Sequence, residues 1–222
     1  MDYIIELINV KKSFKKRVVF SNVSLQVIKG ETVGLVGENG CGKSVLFKII
    51  VGLMRPDMGD VFVRSEKVGL NTDFPINVGI LINSPGYIDL YSGYENLKFL
   101  ANITKKADKN DILNTMKKVG LDPYDKTKVK NYSVGMKQKL GIAQAIMEDQ
   151  DILILDEPFN GLDYKTKDDI INIIRLLQNQ KKTILITSHN FQDIQTLCNK
   201  TYIIENKNIK PMSDEMKLKY KN

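Results

Sequence analysis

A chain of 222 residues with 42% hydrophobic content is long enough to bury a full core, as one domain or as two lobes that share one. Its net charge of +7 comes from 33 Lys and Arg against 26 Asp and Glu, and only 4 of the 33 basic residues are arginine. Nucleic-acid recognition relies strongly on the planar fork of arginine, and the basic residues here are scattered, so we expect no nucleic-acid partner. Weak attraction to an anionic membrane surface stays open.

The sequence shows no sign of membrane insertion or of oxidative folding. No apolar run approaches the roughly 20 residues that cross a bilayer. The first residues, MDYIIELINVKK, lack the charged-then-apolar order of a signal peptide. Cys41 and Cys198 are too few for a disulfide framework. We therefore expect a cytosolic protein with free thiols. Only a partner would hold this protein at a membrane.

The first part of the chain reads as strands followed by a glycine loop and a helix. YIIELINV and RVVFSNVSLQVI alternate apolar and polar residues, which predicts two strands before Gly30. ETVGLVGENGCGKSVLFKIIVGL then predicts a strand, a loop and a helix, and one face of that helix carries Leu46, Ile49, Ile50 and Leu53. RPDMGD predicts a turn.

The second part alternates helices with buried strands. Helical periodicity predicts helices from Glu95 to Ile103, from Asp111 to Val119 and after Ser133. The apolar runs ILIL (152–155) and TILIT (183–187) predict buried parallel strands, and the residues between them predict a crossover helix.

The glycine loop has the spacing of a phosphate-binding P-loop. GENGCGKS (37–44) follows a predicted strand and precedes a predicted helix, and a shuffled chain would match the pattern with a probability on the order of 1%. Glycines let backbone amides face the phosphates, Lys43 can reach the β- and γ-oxygens, and Ser44 can ligate Mg²⁺. A purely structural glycine turn is the alternative. The loop residues expected to contact the phosphate-bearing ligand are Gly37, Glu38, Asn39, Gly40, Cys41, Gly42, Lys43, Ser44 and Val45. We also expect the amides and Lys43 to lower the pKa of the Cys41 thiol.

The motif LILDEP places two acids after a buried strand. Asp156 can hold Mg²⁺, and Glu157 is a candidate base for an attacking water. Taken alone, two acids after four apolar residues more often mark a strand exit onto a loop. The single histidine, His189, follows TILITS, and a lone histidine near apolar residues is more often a packed side chain than a catalytic one.

Between these motifs lies NYSVGMKQKLGIAQAIM, and here the chain resembles the ATP-binding cassette (ABC) ATPases, the nucleotide-binding subunits of ABC transporters. The resemblance covers nearly the whole length. Residues 132–136, YSVGM, stand where the family has its LSGGQ signature. Ser133 and Gly135 are kept, whereas Val134 and Met136 depart from it. The hydroxyl and a helix N-terminal amide are the groups that can bind a γ-phosphate.

The resemblance implies roles for further residues. Phe14 would stack on adenine, although a strand phenylalanine is usually core. Asp163 of GLD (161–163) would lie in the D-loop that crosses to a partner subunit. His189 would contact the γ-phosphate and steady Glu157. Asn83 stands where the family has its Q-loop glutamine, near the metal.

The resemblance also implies the fold and the function. We expect an α/β fold: a RecA-like P-loop NTPase core and an N-terminal antiparallel β-subdomain in residues 1–83 and 149–222, with a helical subdomain inserted at 84–148. Mg²⁺-dependent ATP hydrolysis would drive separate transmembrane permease subunits from the inner face of the membrane. Each site would combine the P-loop, Asp156, Glu157 and His189 of one cassette with Ser133 and Gly135 of another, in a homodimer or a heterodimer.

The segment around Asn83 and the YSVGM signature resemble the bacterial subgroup of bacitracin and lantibiotic resistance exporters. Two alternatives stay open. The chain can be a soluble cassette ATPase of DNA repair, translation or iron–sulfur assembly, although it lacks the tandem cassettes or long coiled coil of the first two. It can also be an inactive nucleotide sensor, which the presence of both Glu157 and His189 disfavours.

Overall fold

The computed structural model describes residues 3–15, 17–83, 86–213 and 215–216. Its strands are β1 (Tyr3–Phe14), β2 (Arg17–Ile28), β3 (Thr32–Val36), β4 (Met58–Val63), β5 (Glu66–Lys67), β6 (Val78–Leu81), β7 (Ile152–Leu155), β8 (Thr183–Ser188), β9 (Lys200–Glu205) and β10 (Asn208–Pro211). Its α-helices are α1 (Lys43–Ile50), α2 (Gly93–Thr104), α3 (Lys109–Lys118), α4 (Val134–Ile146), α5 (Tyr164–Asn179) and α6 (Phe191–Ile194), and a 3₁₀ turn spans Val129–Asn131.

The strands form two sheets. The first has the order β2-β1-β4-β5 and is antiparallel throughout. The second has the order β10-β9-β3-β8-β7-β6, in which all neighbours are parallel except β10 and β9. The predicted α/β fold with an antiparallel β-subdomain is confirmed.

The centre of the second sheet is buried on both faces. Every residue of β3, β7 and β8 is buried, as the apolar runs ILIL and TILIT predict. One apolar cluster lies on the side that includes Leu140 and Ile174, and a second includes Phe20 and Phe47. Because β3, β6, β7 and β8 run parallel, their carboxyl ends meet at one edge of the sheet, where open α/β folds place ligands.

The three middle helices begin at polar caps. Ser92 and Asp108 form capping boxes with Glu95 and Asp111 at the starts of α2 and α3, and the Ser133 side chain caps α4. All three helices lie within residues 84–148, so the inserted helical subdomain stays a prediction that agrees with their positions. None of the helices in the described part of the chain combines the length and apolar character needed to cross a bilayer.

The structure differs from the sequence predictions at the end of α1 and in RPDMGD. Leu53 is half exposed, because α1 ends at Ile50 and Gly52 follows in a left-handed conformation with φ 80°. The MGD part of the predicted turn opens β4 instead, where Met58 pairs with Lys11 of β1. Gly and Asp favour turns locally, but strand pairing with β1 overrides that preference.

Candidate active site

The predicted phosphate loop joins β3 to α1 at the carboxyl edge of the sheet. Lys43 is 6% exposed, and its Nζ donates to the carbonyl oxygens of Gly37 at 2.6 Å and Glu38 at 3.1 Å. Gly42 has φ 115°, and a Cβ there would lie 2.6 Å from Val19 Cγ1, so a side chain is excluded. The loop therefore wraps around the lysine ammonium and opens onto the N-terminus of α1, an arrangement suited to phosphate.

A cavity of about 390 Å³ lies beside this loop. Phe14 lines it and is 43% exposed, so Phe14 is not a core residue. An aromatic side chain, a lysine and the amides of a helix N-terminus around one cavity suit a nucleotide base and its phosphates. The cavity is lined by Phe14, Arg17, Val19, Asn39, Gly40, Gly42, Lys43, Ser44, Val45 and Glu157.

The Glu157 carboxylate lies between a lysine and a histidine. Its Oε1 is 3.1 Å from Lys43 Nζ, as an ion pair whose alignment does not make a hydrogen bond, and this buried atom has no aligned donor among the described residues. Its Oε2 accepts from the His189 backbone N–H at 3.2 Å and lies 2.8 Å from His189 Nδ1. The His189 side chain is 44% exposed, so the packed-core interpretation does not fit.

Asp156 and Glu157 are tied together by a residue that sequence reasoning missed. Asp156 is 5% exposed, and its Oδ1 accepts the Thr187 hydroxyl at 2.7 Å. The same hydroxyl oxygen accepts the Glu157 backbone N–H at 2.8 Å. The available signal is a threonine in the otherwise apolar run ILIT, because a buried hydroxyl needs partners.

Arg17 was also missed. Its Nη2 donates to the Gly40 carbonyl at 3.1 Å, and it lines the cavity beside Phe14. A basic residue at the start of a predicted strand gives little indication of such a contact, because the contact joins positions 23 residues apart.

The side chains of Asp156 and Ser44 offer oxygen donors of the kind that Mg²⁺ prefers. No group of three or more His, Cys, Asp or Glu in the described residues could hold a metal by itself. Mg²⁺, however, commonly uses one or two protein oxygens together with the phosphates of its nucleotide. The Asp156 carboxylate and the Ser44 hydroxyl are oxygen donors of that kind, at the ends of β7 and the P-loop.

Asn83 lies two residues after β6 and is exposed, and it does not line the cavity. Its φ of 57° lies in the left-handed region, which asparagine tolerates better than glutamine. The backbone conformation thus gives a physical reason for asparagine at this position. Leu81, two residues earlier, accepts the Asp156 backbone N–H at 2.7 Å and links this segment to the acids.

The residues predicted to form the signature and the D-loop lie outside the cavity lining. Ser133 is exposed and caps α4 by accepting from Met136 N at 3.2 Å, and Val134 is 57% exposed. A Cβ on Gly135 would lie 2.5 Å from Thr166 Cγ2. Thr166 in turn donates its backbone N–H and hydroxyl to Asp163, at 3.0 and 2.7 Å. These residues therefore form one connected surface at the starts of α4 and α5.

The hydrogen bonds from Thr166 also hold the pKa of the Asp163 carboxyl below its ordinary value, with the backbone N–H as the largest cause. The carboxylate at the start of α5 is also well placed to interact with the helix dipole.

The expected lowering of the Cys41 pKa is wrong. Burial raises the pKa of this thiol above its ordinary value of 9.0 and outweighs the attraction of Lys43. The Cys41 Sγ packs against Gly37, where an added Cβ would lie only 2.7 Å from it. Cys41 lines a neighbouring cavity of about 560 Å³ and does not line the cavity beside Phe14. Both cysteines are free, as predicted, and burial raises the pKa of Cys198 to about 12.

Alkylation of Cys41 is therefore expected to be slow at neutral pH and to accelerate as the pH rises toward and beyond 9.0, because only the thiolate reacts. Mg-ATP should slow it further, because phosphates bound by the loop amides would restrict access to the thiol. The measurement is the iodoacetamide rate against pH in a Cys198→Ala background, with Cys41→Ala as the blank. A neutral-pH rate equal to that of a small free thiol would contradict the burial of Cys41, and a rate indifferent to Mg-ATP would contradict protection of this thiol by nucleotide bound to the loop.

Comparisons with known proteins identify the family of the chain. Residues 20–160 match the family model described as ABC transporter. The chain is 42% identical to the uncharacterized ABC transporter ATP-binding protein YybJ of Bacillus subtilis, over 87% of this chain and 89% of that protein. It is 36% identical to the bacitracin transport ATP-binding protein BcrA of Enterococcus faecalis (89% of this chain, 65% of that protein). It is 35% identical to the lantibiotic transport ATP-binding protein SrtF of Streptococcus pyogenes (85% and 81%).

Solved structures agree on the fold. A nucleotide-free ATP-binding cassette from an ABC transporter superimposes with a TM-score of 0.83 at 21% identity, over 100% of this chain and 96% of that one. The ADP conformation of the cassette MJ1267 gives 0.82 with the same identity and coverage. The resemblance inferred from the motifs is confirmed: the chain belongs to the ABC transporter family and is an ATP-binding subunit of that family.

Proposed function

We propose that this cassette hydrolyses ATP in the presence of Mg²⁺, with Glu157 as the base that activates the attacking water. The observation that carries the proposal is the position of the Glu157 carboxylate, which lines the cavity between Lys43 and His189. A carboxylate beside the expected γ-phosphate can accept a proton from water, and a histidine at its other oxygen can keep it oriented. Mg²⁺ would supply neutralisation of phosphate charge.

ATP binding requires Lys43 to change partners. Its ammonium is shared among the carbonyls of Gly37 and Glu38 and the Glu157 carboxylate. Phosphate oxygens carry more negative charge than the two carbonyls, so they compete well for the same donor. When Lys43 turns to the phosphates, Glu157 loses one cation and becomes available to water.

Phe14 would stack on the adenine ring of the nucleotide, and Ser44 and Asp156 would hold the metal.

We further propose that a second cassette completes the site. Ser133, Val134 and Asp163 are exposed on the surface at the starts of α4 and α5 and lie outside the cavity lining of their own chain. The amides and hydroxyl at the start of α4 suit the γ-phosphate of a nucleotide bound to another copy. Either a homodimer or a heterodimer provides this arrangement.

The cassette is proposed to drive separate permease subunits from the cytoplasmic face of the membrane. Support comes from relatives named for bacitracin and lantibiotic transport at 36% and 35% identity. On this basis we propose export of peptide antibiotics or similar hydrophobic compounds as the transport function.

Phosphate release from the purified chain tests hydrolysis, and co-purification from detergent-solubilised membranes tests transport. We expect release with Mg-ATP and none when EDTA removes the metal. We also expect a polytopic membrane protein to co-purify. ATP binding without phosphate release would indicate a nucleotide sensor. Phosphate release without any membrane partner would indicate a soluble cassette ATPase.

Asn83 tests the link between hydrolysis and the permease. Because Asn83 has φ 57°, glycine removes its side chain without the backbone strain that alanine would add. We expect Asn83→Gly to lower the permease-stimulated ATPase rate more than the rate of the isolated cassette. The measurement is ATPase activity with and without reconstituted permease. If basal activity falls and a higher Mg²⁺ concentration partly restores it, Asn83 instead acts at the metal. Unchanged rates both with and without the permease would contradict the Q-loop role of Asn83.

A further inference from the structure

Thr187 is a hydroxyl residue inside a fully buried strand. It is 0% exposed and is the fifth residue of β8, where Ile184 and Ile186 belong to one core cluster and Leu185 to the other. Because side chains alternate along a strand, Thr187 shares a face with Leu185. Burying a hydroxyl at such a position is costly unless both its donor and its acceptor capacity are used.

Both capacities are used, and both are directed at the acids of the site. The Thr187 hydroxyl donates to Asp156 Oδ1 at 2.7 Å and accepts the Glu157 backbone N–H at 2.8 Å. A hydroxyl has a single proton to give, so donation to Asp156 leaves its lone pairs for Glu157. One side chain on β8 therefore fixes the carboxylate of one acid and the main chain of the next.

The Glu157 main chain needs such support. Its φ of 49° lies in the left-handed region, which is uncommon for residues with a Cβ and persists only where neighbouring contacts hold it. Thr187 holds the amide end of the residue, and His189 holds the carboxylate end through Oε2. Releasing the amide would let the backbone relax and would swing the carboxylate away from the cavity.

We propose that Thr187 is a positioning residue for hydrolysis, whose hydroxyl sets the direction in which Glu157 presents its carboxylate to the cavity. The inference rests on the proposed function, because it takes Glu157 as the base. Valine has nearly the shape of threonine but no hydroxyl, so Thr187→Val leaves the Asp156 oxygen and the Glu157 N–H without this partner. Thr187→Ser keeps the hydroxyl and removes only a methyl group.

The chain offers a matched control at the other end of the same strand. Thr183 is also 0% exposed in β8, and its hydroxyl accepts the Gly30 backbone N–H at 2.9 Å. Thr183→Val therefore removes an equally buried, hydrogen-bonded hydroxyl away from the acids. Both valine variants should lose some stability, and only one of them should lose turnover.

The experiment measures phosphate release with Mg-ATP and the binding of a fluorescent ATP analogue. For Thr187→Val, we expect kcat to fall by about 10- to 100-fold, as when residues that orient catalytic groups are removed. KM and analogue affinity should stay within a few-fold of wild type. Thr187→Ser should restore most of the rate, and Thr183→Val should keep it. If Thr187→Val does not fold, Thr187→Ala replaces it with the same expectation.

A second readout, amide hydrogen exchange in the nucleotide-free protein, does not depend on activity. We expect exchange at the Glu157 amide to accelerate in Thr187→Val and to stay slow in Thr187→Ser and Thr183→Val. Wild-type kcat in Thr187→Val, an equal loss in Thr183→Val, or failure of serine to restore the rate would overturn the proposal. A wild-type chain that binds ATP without releasing phosphate would refute the proposed function instead. If exchange then changed only in Thr187→Val, the role of Thr187 would be purely structural.

Discussion

Glu157→Gln is expected to stop phosphate release while ATP still binds. The amide keeps the shape of the side chain and cannot accept a proton from water, so turnover should fall by at least about a hundredfold, the lower range for loss of a general base. ATP affinity should be equal or higher. The Glu157 carboxylate lies 3.1 Å from Lys43 Nζ, and the neutral amide of the variant would compete less with phosphate for that cation.

The same substitution should trap the proposed dimer. If two cassettes close over ATP and separate only after hydrolysis, light scattering should show a doubled mass with Mg-ATP and the monomer mass with ADP. Glu66→Gln is the matched control, since Glu66 is exposed on the short strand β5. It should hydrolyse ATP as the wild type does. Phosphate release from Glu157→Gln at the wild-type rate would remove Glu157 from its assigned role.

The parts of the site that lie in contiguous motifs were predictable from the sequence. Lys43 and Glu157 each sit at a fixed offset from a buried strand, and parallel strands bring such positions to one edge of the sheet. His189 could not be resolved by itself, because a lone histidine fits a packed core equally well. Its order along the chain, with the other family motifs, supported the functional role, and its exposure agrees with that role.

The parts that escaped prediction depend on tertiary structure. The Thr187 hydroxyl reaches Asp156 across 31 positions, and the Arg17 guanidinium reaches Gly40 across 23. The direction of the Cys41 pKa shift depends on burial competing with Lys43, and the sequence shows the cation but not the burial. The start of β4 was likewise predicted as a turn, because its Gly and Asp favour turns. Pairing with β1 overrides that local preference.

His189→Ala is expected to lower turnover by about tenfold or more, with little change in the melting temperature. Its side chain is 44% exposed, so the fold loses little packing when it is removed. The His189 backbone N–H still donates to Glu157 Oε2 at 3.2 Å in the alanine variant, whereas the contact from Nδ1 at 2.8 Å is lost. Glu157 therefore keeps a weaker anchor, and the γ-phosphate loses any interaction with the imidazole, as expected for a group that acts in the transition state.

Asn190→Ala gives the opposite pattern and serves as the control. Asn190 is exposed and adjacent, and its side chain caps α6 by accepting from Gln192 N at 2.9 Å. Loss of a cap costs about 1 kcal/mol, so its melting temperature should fall while turnover is retained. Turnover and thermal unfolding measured on both variants separate the two roles of neighbouring residues. A sharp fall in the melting temperature of His189→Ala, with normal hydrolysis by the protein that remains folded, would return His189 to a structural role, because a catalytic imidazole cannot be removed without a loss of rate.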